Sequence, residues 1–273
     1  MKMIINNSIF QLKHINSVIC YDTTDSTNLR AKEFAKKTDV HGILFLADRQ
    51  TAGKGRLGRY FISPEATGIY ASLLLRPTLS MKRYPQITLI AAVAVANAIK
   101  ETTDISVHIK WPNDIVVDGK KLVGILTEGG PNYAIIGIGV NVNNNNFPDN
   151  IADVATSLYI TSGKKIDRAI LLNTILNNFN KLYEELLISD NLDFIIDEYN
   201  NLLINKDKDI YIIPHHISDA TNHPYTIDTV GLESMHCLGI DSYGNLLCQD
   251  ASGTTHSINS GEVSVRGIDS YSS

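Results

Sequence analysis

Gly53-Lys54-Gly55-Arg56-Leu57-Gly58-Arg59, followed by Tyr60-Phe61-Ile62-Ser63-Pro64-Glu65 and the apolar run Ile69 to Leu75, decides which fold this chain can adopt. Three glycines alternate with three cations in the first stretch, so the backbone is free to approach a ligand while Lys54, Arg56 and Arg59 offer charge-assisted bonds to an anion. The first six residues satisfy the dinucleotide pattern G-x-G-x-x-G, which needs a strand before it and a helix directly after it. Here a strand-like run follows instead of a helix, so no helix N-terminus stands ready for a pyrophosphate. A Walker loop is excluded too, because no Gly-Lys-Ser/Thr closes the segment. Taken alone the loop also fits a solvated basic turn; its neighbours argue otherwise.

The whole chain has 273 residues, 44% hydrophobic content and a net charge of −5. That is enough for one large core and a small satellite, and it supplies no general attraction to nucleic acid or anionic membranes. Residues Met1 to Ser8 lack the basic-then-apolar order of a signal peptide. The longest apolar run, Leu89 to Ala96, is far short of the roughly 18 residues of a membrane span. Cys20, Cys237 and Cys248 are unclustered and match neither zinc spacing nor a disulfide framework, which fits a reducing cytoplasm.

Outward from the loop, Val18 to Tyr21 reads as a short strand, and Asp22 to Asn28 supplies cap residues for a helix over Leu29 to Lys37. Ser26, Thr27 and Asn28 exceed what one cap requires, so some of them are expected to face a pocket. Gly42 to Ala47 is a buried strand that delivers Gln50 to the loop. Gln86 to Lys100 is apolar nearly all round, as suits a helix buried on a sheet. Val107 to Lys110 feeds Trp111-Pro112-Asn113-Asp114, with His108 on the sheet's second face. Asp118-Gly119 between β-branched runs signals a hairpin. Strict alternation then puts Leu122, Gly124 and Leu126 on one side and Lys121, Val123 and Ile125 on the other. Tyr133 to Asn143 carries Gly137 and Gly139 on one face, with Asn141 beside them, as where a ligand or another backbone approaches closely. Helices are expected over Asp167 to Leu187 and Leu192 to Leu203.

Beyond about Asn205 the texture becomes β-rich. Strands are expected at Asp209 to Ile213, Met235 to Ile240, Asn245 to Gln249 and Glu262 to Arg266, forming a small barrel. The domain division is therefore 1–204 and 205–273. His215, His216 and His223 near Cys237 match no zinc pattern and read as surface polar residues; no metal site is expected.

Ser26 to Asn28, Gln50 with Gly53 to Arg59, Lys110 to Asp114, Lys121 to Leu126 and Gly137 to Asn141, in that order, resemble the signature of biotin protein ligases. The likeness covers roughly residues 18–266, because Gly239 to Leu247 is similar to that family's C-terminal SH3-like domain. Two positions depart from the family pattern: Lys54 stands in place of arginine and loses the bidentate fork, and Phe61 stands where tryptophan is common. The resemblance implies an α+β fold, with a mixed, largely antiparallel sheet covered by helices as in class II aminoacyl-tRNA synthetases, and a small C-terminal SH3-like β-barrel. Some relatives carry an N-terminal helix-turn-helix; with catalytic sequence starting near residue 18, the form without it is expected.

The activity so implied joins biotin to the AMP of ATP and passes the acyl group to a lysine of the biotin carboxyl carrier protein of acetyl-CoA carboxylase. By the same resemblance, Ser26, Thr27, Asn28 and Gln50 meet the biotin head group. Gly53, Lys54, Gly55, Arg56, Gly124, Gly137 and Gly139 surround biotin and the adenylate, and Lys121 with Arg56 acts in catalysis. Arg59, Lys110, Trp111, Asn113, Asp114 and Asn141 serve ATP, with phosphate-bound Mg²⁺. No enzyme nucleophile is required, in keeping with a chain that shows no Ser-His-Asp or Cys-His arrangement. Ordering seven loop residues at about 1–2 kcal/mol each against charge-assisted bonds of about 1.5–3 kcal/mol predicts a loop that orders over the adenylate. The alternatives are a lipoate-type ligase and a non-catalytic biotin or nucleotide sensor. Nucleic acid and membrane are not expected as partners, whereas an exposed sheet edge suits pairing in a homodimer.

Overall fold

The computed structural model describes residues 12–214, 232–260 and 263–267. Its larger sheet has seven strands: β1 (Ser17–Thr24), β2 (Ile43–Gln50), β3 (Ile69–Leu75), β4 (His108–Lys110), β5 (Asp114–Val117), β6 (Lys120–Gly130) and β7 (Tyr133–Val140). Their spatial order is β1-β2-β3-β7-β6-β5-β4. Only β1 and β2 run parallel; every other neighbour pair is antiparallel. This is the mixed, largely antiparallel sheet expected from the sequence.

The two faces are covered unequally. α2 (Tyr84–Thr103) and α4 (Arg168–Ile188) share one core with Leu44, Leu46, Ala71, Leu73 and Ile136. α2 is buried nearly all round because it lies between the sheet and α4, and Asp104 ends it with φ +58 in the left-handed region. On the opposite face α1 (Thr27–Ala35) packs Ala31 and Ala35 on Ile43, Phe45, Leu74, Tyr133 and Ile135. A nine-residue helix covers only one end of that face, and the other end is left open.

Boundaries differ from expectation for local reasons. α1 starts two residues earlier than expected, with Ser26 at the N-cap, and Arg76 Nη2 donates to Ala35 O at its end (3.0 Å). α3 (Leu158–Ser162) was not anticipated, although Ser157 before it and Gly163 after it are ordinary start and stop residues. α5 covers Ile196–Leu202 instead of 192–203, because the Leu192 amide donates to Ser242 O (2.7 Å) and the chain turns before the helix begins.

The C-terminal segment forms a five-stranded antiparallel sheet of β8 (Asp209–Pro214), β9 (Ser234–Ile240), β10 (Leu246–Gln249), β11 (Thr255–Ile258) and β12 (Val263–Gly267), in the order β11-β10-β9-β8-β12. β11 was not anticipated; its Thr255, His256 and Ser257 are polar and exposed, so it lacks an apolar alternation. His215, His216 and His223 lie outside the described residues. The two sheets share one apolar core, which includes Trp111, Leu192 and Tyr199 with Ile240, Leu246 and Val265, and hydrogen bonds cross it: Trp111 Nε1 donates to Gly244 O (3.1 Å) and Asn200 Oδ1 accepts from the Ile240 amide (2.9 Å). Among the described residues, Cys20, Cys237 and Cys248 are free thiols, and no helix is long and apolar enough to cross a membrane.

The start of α4 is anchored by charge. Arg168 Nη1 lies 3.2 Å from Asp48 Oδ1 on β2 and donates to Gly68 O at 3.0 Å, with both side chains largely buried. Removing one member of a buried pair strands the other, at about 3–5 kcal/mol. Arg168→Met should therefore lower the unfolding free energy by about that amount in urea titration; a loss under about 1 kcal/mol would show that the pair behaves as a solvated one.

Candidate functional site

The open end of the α1 face is a hollow made by missing side chains. One register row crosses the sheet as Ala47, Tyr70, Gly139, Gly124, Asp114 and Lys110. The next row runs Phe45, Ser72, Gly137 and Leu126. Paired residues share a face, so the three glycines leave a trough between Tyr70 and Ser72 on one side and Asp114 on the other. Neighbouring side chains drop into the trough. A Cβ on Gly137 would stand 2.2 Å from Asn28 Oδ1, and one on Gly139 would stand 2.7 Å from the Phe61 ring.

One end of the trough is polar and uncharged. Ser26, Thr27 and Asn28 begin α1 and line the cavity together with Gln50. Ser26 occupies the N-cap position, yet its side chain makes no capping bond. Gln50 Oε1 accepts from the Thr27 amide (2.8 Å), and Gln50 Nε2 donates to Ser63 Oγ (2.9 Å). Tyr70 also faces the cavity; burial pushes its phenol up to about 12, so it stays neutral and donates to Pro64 O (3.0 Å).

The other end is cationic, and a β-bulge makes it so. Val123 pairs with Ile115 but Lys121 pairs with Val116, which leaves Leu122 as an extra residue in β6. The bulge reverses the alternation, so Lys121 joins Gly124 instead of Val123 and Ile125, correcting the face expected from strict period two. A Cβ on Gly124 would lie 3.2 Å from Lys121 Cε. Lys121 Nζ is 2.7 Å from Asp114 Oδ1, which also accepts from Asn113 Nδ2 (3.0 Å). Arg56 Nη1 donates to Asn113 Oδ1 (3.0 Å) and Arg56 Nη2 to Ser260 O (2.6 Å) beyond β11. The Gly-rich loop folds back on itself, with Gly55 N donating to Arg59 O (2.7 Å) and Phe61 N to Gly53 O (2.9 Å) around a 3-10 turn at Arg56–Gly58.

The cavity thus gathers Ser26, Thr27, Asn28, Gln50, Lys54, Gly55, Arg56, Arg59, Lys110, Trp111, Asn113, Asp114, Lys121, Gly124, Gly137 and Gly139. Gly53 and Asn141 are not among its lining residues. Gly53 is instead a packing position, where a Cβ would stand 2.4 Å from Phe61 O. Asn141 departs because β7 ends at Val140; its amide donates to Leu122 O (3.0 Å) and its carbonyl accepts from Leu158 N (3.1 Å). Tyr70, Ser72, Glu128 and Val265 were not singled out from the sequence. Ser72 and Tyr70 had a signal in the alternation of β3, whereas Val265 comes from the distant second sheet and had none. A second cleft shares Lys54, Arg56, Arg59 and Asn113 with the cavity and opens past Met81, Pro85 and Glu128.

Comparison with known proteins places these residues in a family context. Residues 20–143 match the model of the Biotin/lipoate A/B protein ligase family, and residues 238–266 match the Biotin protein ligase C terminal domain. The chain is 47% identical over 175 residues to the Bacillus subtilis protein named Bifunctional ligase/repressor BirA, covering 62% of this chain and 54% of that one. It is 33% identical over 141 residues to the Mycobacterium tuberculosis Biotin--[acetyl-CoA-carboxylase] ligase, covering 50% and 52% respectively. The chain therefore spans about half the length of the curated relatives it matches. The structure of the Aquifex aeolicus biotin protein ligase in complex with biotin and ATP superposes with a TM-score of 0.78 at 29% identity, covering 93% of this chain and 100% of that one. With both matched segments on the two sheets that build the cavity, the chain resembles biotin protein ligases in each of its two parts.

Proposed function

We propose that this chain is an ATP-dependent ligase that activates biotin as biotinyl-5′-AMP and transfers the acyl group to a lysine of the biotin carboxyl carrier protein of acetyl-CoA carboxylase. The observation that carries this reading is the polarity gradient of the cavity, from the neutral wall of Ser26, Thr27, Asn28 and Gln50 to the cations Lys121 and Arg56. A bicyclic urea with a carboxylate tail has the same gradient. Biotin lies with its ring over Gly137 and its carboxylate toward Lys121; Gly53, Lys54, Gly55 and Arg56 form the loop above it, and Gly124 and Gly139 leave room below. Arg59, Lys110, Trp111, Asn113 and Asp114 receive the nucleotide, and Asn141 supports that end by tying β6 to α3. Residues 1–204 are assigned to the catalytic unit and 205–273 to the SH3-like unit.

In the first step the biotin carboxylate attacks the α-phosphorus of ATP; an O–P bond forms and the bond to pyrophosphate breaks. In the second, the carrier lysine attacks the acyl carbon, AMP leaves with the bonding pair, and the amine loses a proton. Lys121 faces charge that develops in both steps, and its bond to Asp114 holds it in place. Mg²⁺ brought in on the triphosphate would withdraw charge from the phosphates. Among the described residues Asp114 is the sole carboxylate lining the cavity. The second cleft is the approach for the carrier lysine, and β1 at the sheet edge is the site where a second copy would pair. Free cysteines favour a cytoplasmic setting.

ATP-pyrophosphate exchange tests the reading. Exchange should require biotin, not lipoate, and Lys121→Ala should slow it by about 100-fold or more; exchange with lipoate alone, or with neither acid, would transfer the assignment to the lipoate ligase or the sensor. Arg56→Gly removes the side chain that links the loop to Asn113 and Ser260 and should release biotinyl-AMP, labelling bystander lysines; full retention of the intermediate would show that the loop is no lid. Proteolysis after Lys54 and Arg56 should slow when biotin and ATP are both present, and equal cleavage with and without them would count against closure.

A further inference from the structure

The polar wall of the cavity continues into a residue that does not line it. Asn28 Nδ2 donates to Glu128 Oε2 (2.9 Å) and lies 3.4 Å from Leu126 O. Glu128 belongs to the second cleft, two residues before the end of β6, and its Oε1 accepts from Lys32 Nζ at 3.2 Å. Burial alone would raise this carboxyl; the bonds from Asn28 and Lys32 outweigh that and hold it below the usual carboxylate range.

A carboxylate only accepts, so it admits one orientation of the Asn28 amide, with nitrogen toward Glu128 and oxygen toward Ser72. The fully buried Ser72 Oγ lies 2.6 Å from Asn28 Oδ1 and 2.7 Å from Thr27 Oγ1, and it has a single hydrogen. Since Asn28 Oδ1 cannot donate, that hydrogen goes to Asn28, and Thr27 Oγ1 receives none from Ser72 and is free to donate to Ser72 Oγ or to Gln50 Oε1. If the amide were reversed, Ser72 would donate to Thr27 instead, and Thr27 would donate to Gln50 Oε1 at 3.1 Å. The chain of hydroxyls and amides therefore has two hydrogen arrangements, which present different donors and acceptors to a ligand.

We infer that Glu128 is a positioning residue for the ligand's ring system, acting through Asn28, Ser72 and Thr27 to select one of these two arrangements. The class of ligand feature it serves is a cyclic urea, whose N–H groups need acceptors and whose carbonyl needs donors at defined places. This rests on the biotin reading of the cavity, and it adds a residue outside the pocket that sets affinity for the ring without touching phosphate or acyl group.

The test is calorimetric titration of the full chain with biotin in the absence of nucleotide, followed by steady-state kinetics. In carrier-free ATP-pyrophosphate exchange, Glu128→Leu should weaken biotin binding by about tenfold or more and raise KM for biotin in parallel, while the exchange kcat and KM for ATP change by less than about threefold. Glu128→Gln keeps an acceptor for Asn28 and should recover most of the affinity. If Glu128→Leu does not fold, Glu128→Met fills the same space without an acceptor and is read the same way. Unchanged biotin affinity in the apolar variant would overturn the inference, as would a uniform loss in every parameter with a lowered Tm, or a glutamine variant as impaired as leucine. No biotin binding by the unaltered protein would overturn the biotin reading itself and the inference with it.

Discussion

A single extra residue in β6 governs the chemistry of the site. With Leu122 bulged out against Val116, the side chain of Lys121 turns from the core side to the trough, where Asp114 meets it at 2.7 Å. Without the bulge an ammonium would point among Val123 and Ile125, which are buried, and an unpaired charge there costs several kcal/mol. Lys121 so placed joins one end of a chain of bonds that runs through Asp114, Asn113 and Arg56 and onward to Ser260.

The glycines of the trough act in combination. Gly124, Gly137 and Gly139 occupy adjacent positions of two register rows, so together they remove the middle of one sheet face while the opposite face stays packed against α2. The space so made is partly taken by Asn28 and the Phe61 ring. A side chain at Gly137 or Gly139 would therefore collide with Asn28 or the Phe61 ring, and one at Gly124 would crowd Lys121. This is why the site needs small residues on a sheet that is otherwise rich in β-branched ones.

The second sheet completes the site from a distance. Ser260 accepts from Arg56, Val265 lines the cavity, and Trp111 is held by Gly244, so the seam between the sheets lies against the cationic end of the trough. Arg56 thereby ties the Gly-rich loop both to Asn113, beside the larger sheet, and to Ser260, next to the smaller one.

By itself the sequence determined the kinds of element and most of the site. Apolar period and length marked α2 and α4, the Asp118-Gly119 turn marked the hairpin, and the polar triplet Ser26 to Asn28 announced more than a helix cap; these are local signals written in neighbouring residues. Tertiary structure decided what depends on pairing between distant segments. The bulge at Leu122 is invisible to strict alternation because it exists only against β5. Asn141 left the cavity because β7 stops one residue short of it, and α5 lost its first turn because the Leu192 amide donates to Ser242 O in the loop between β9 and β10. Glu128 and Ser72 acquired meaning only when register brought them beside Asn28, since no spacing along the chain relates residues 28, 72 and 128.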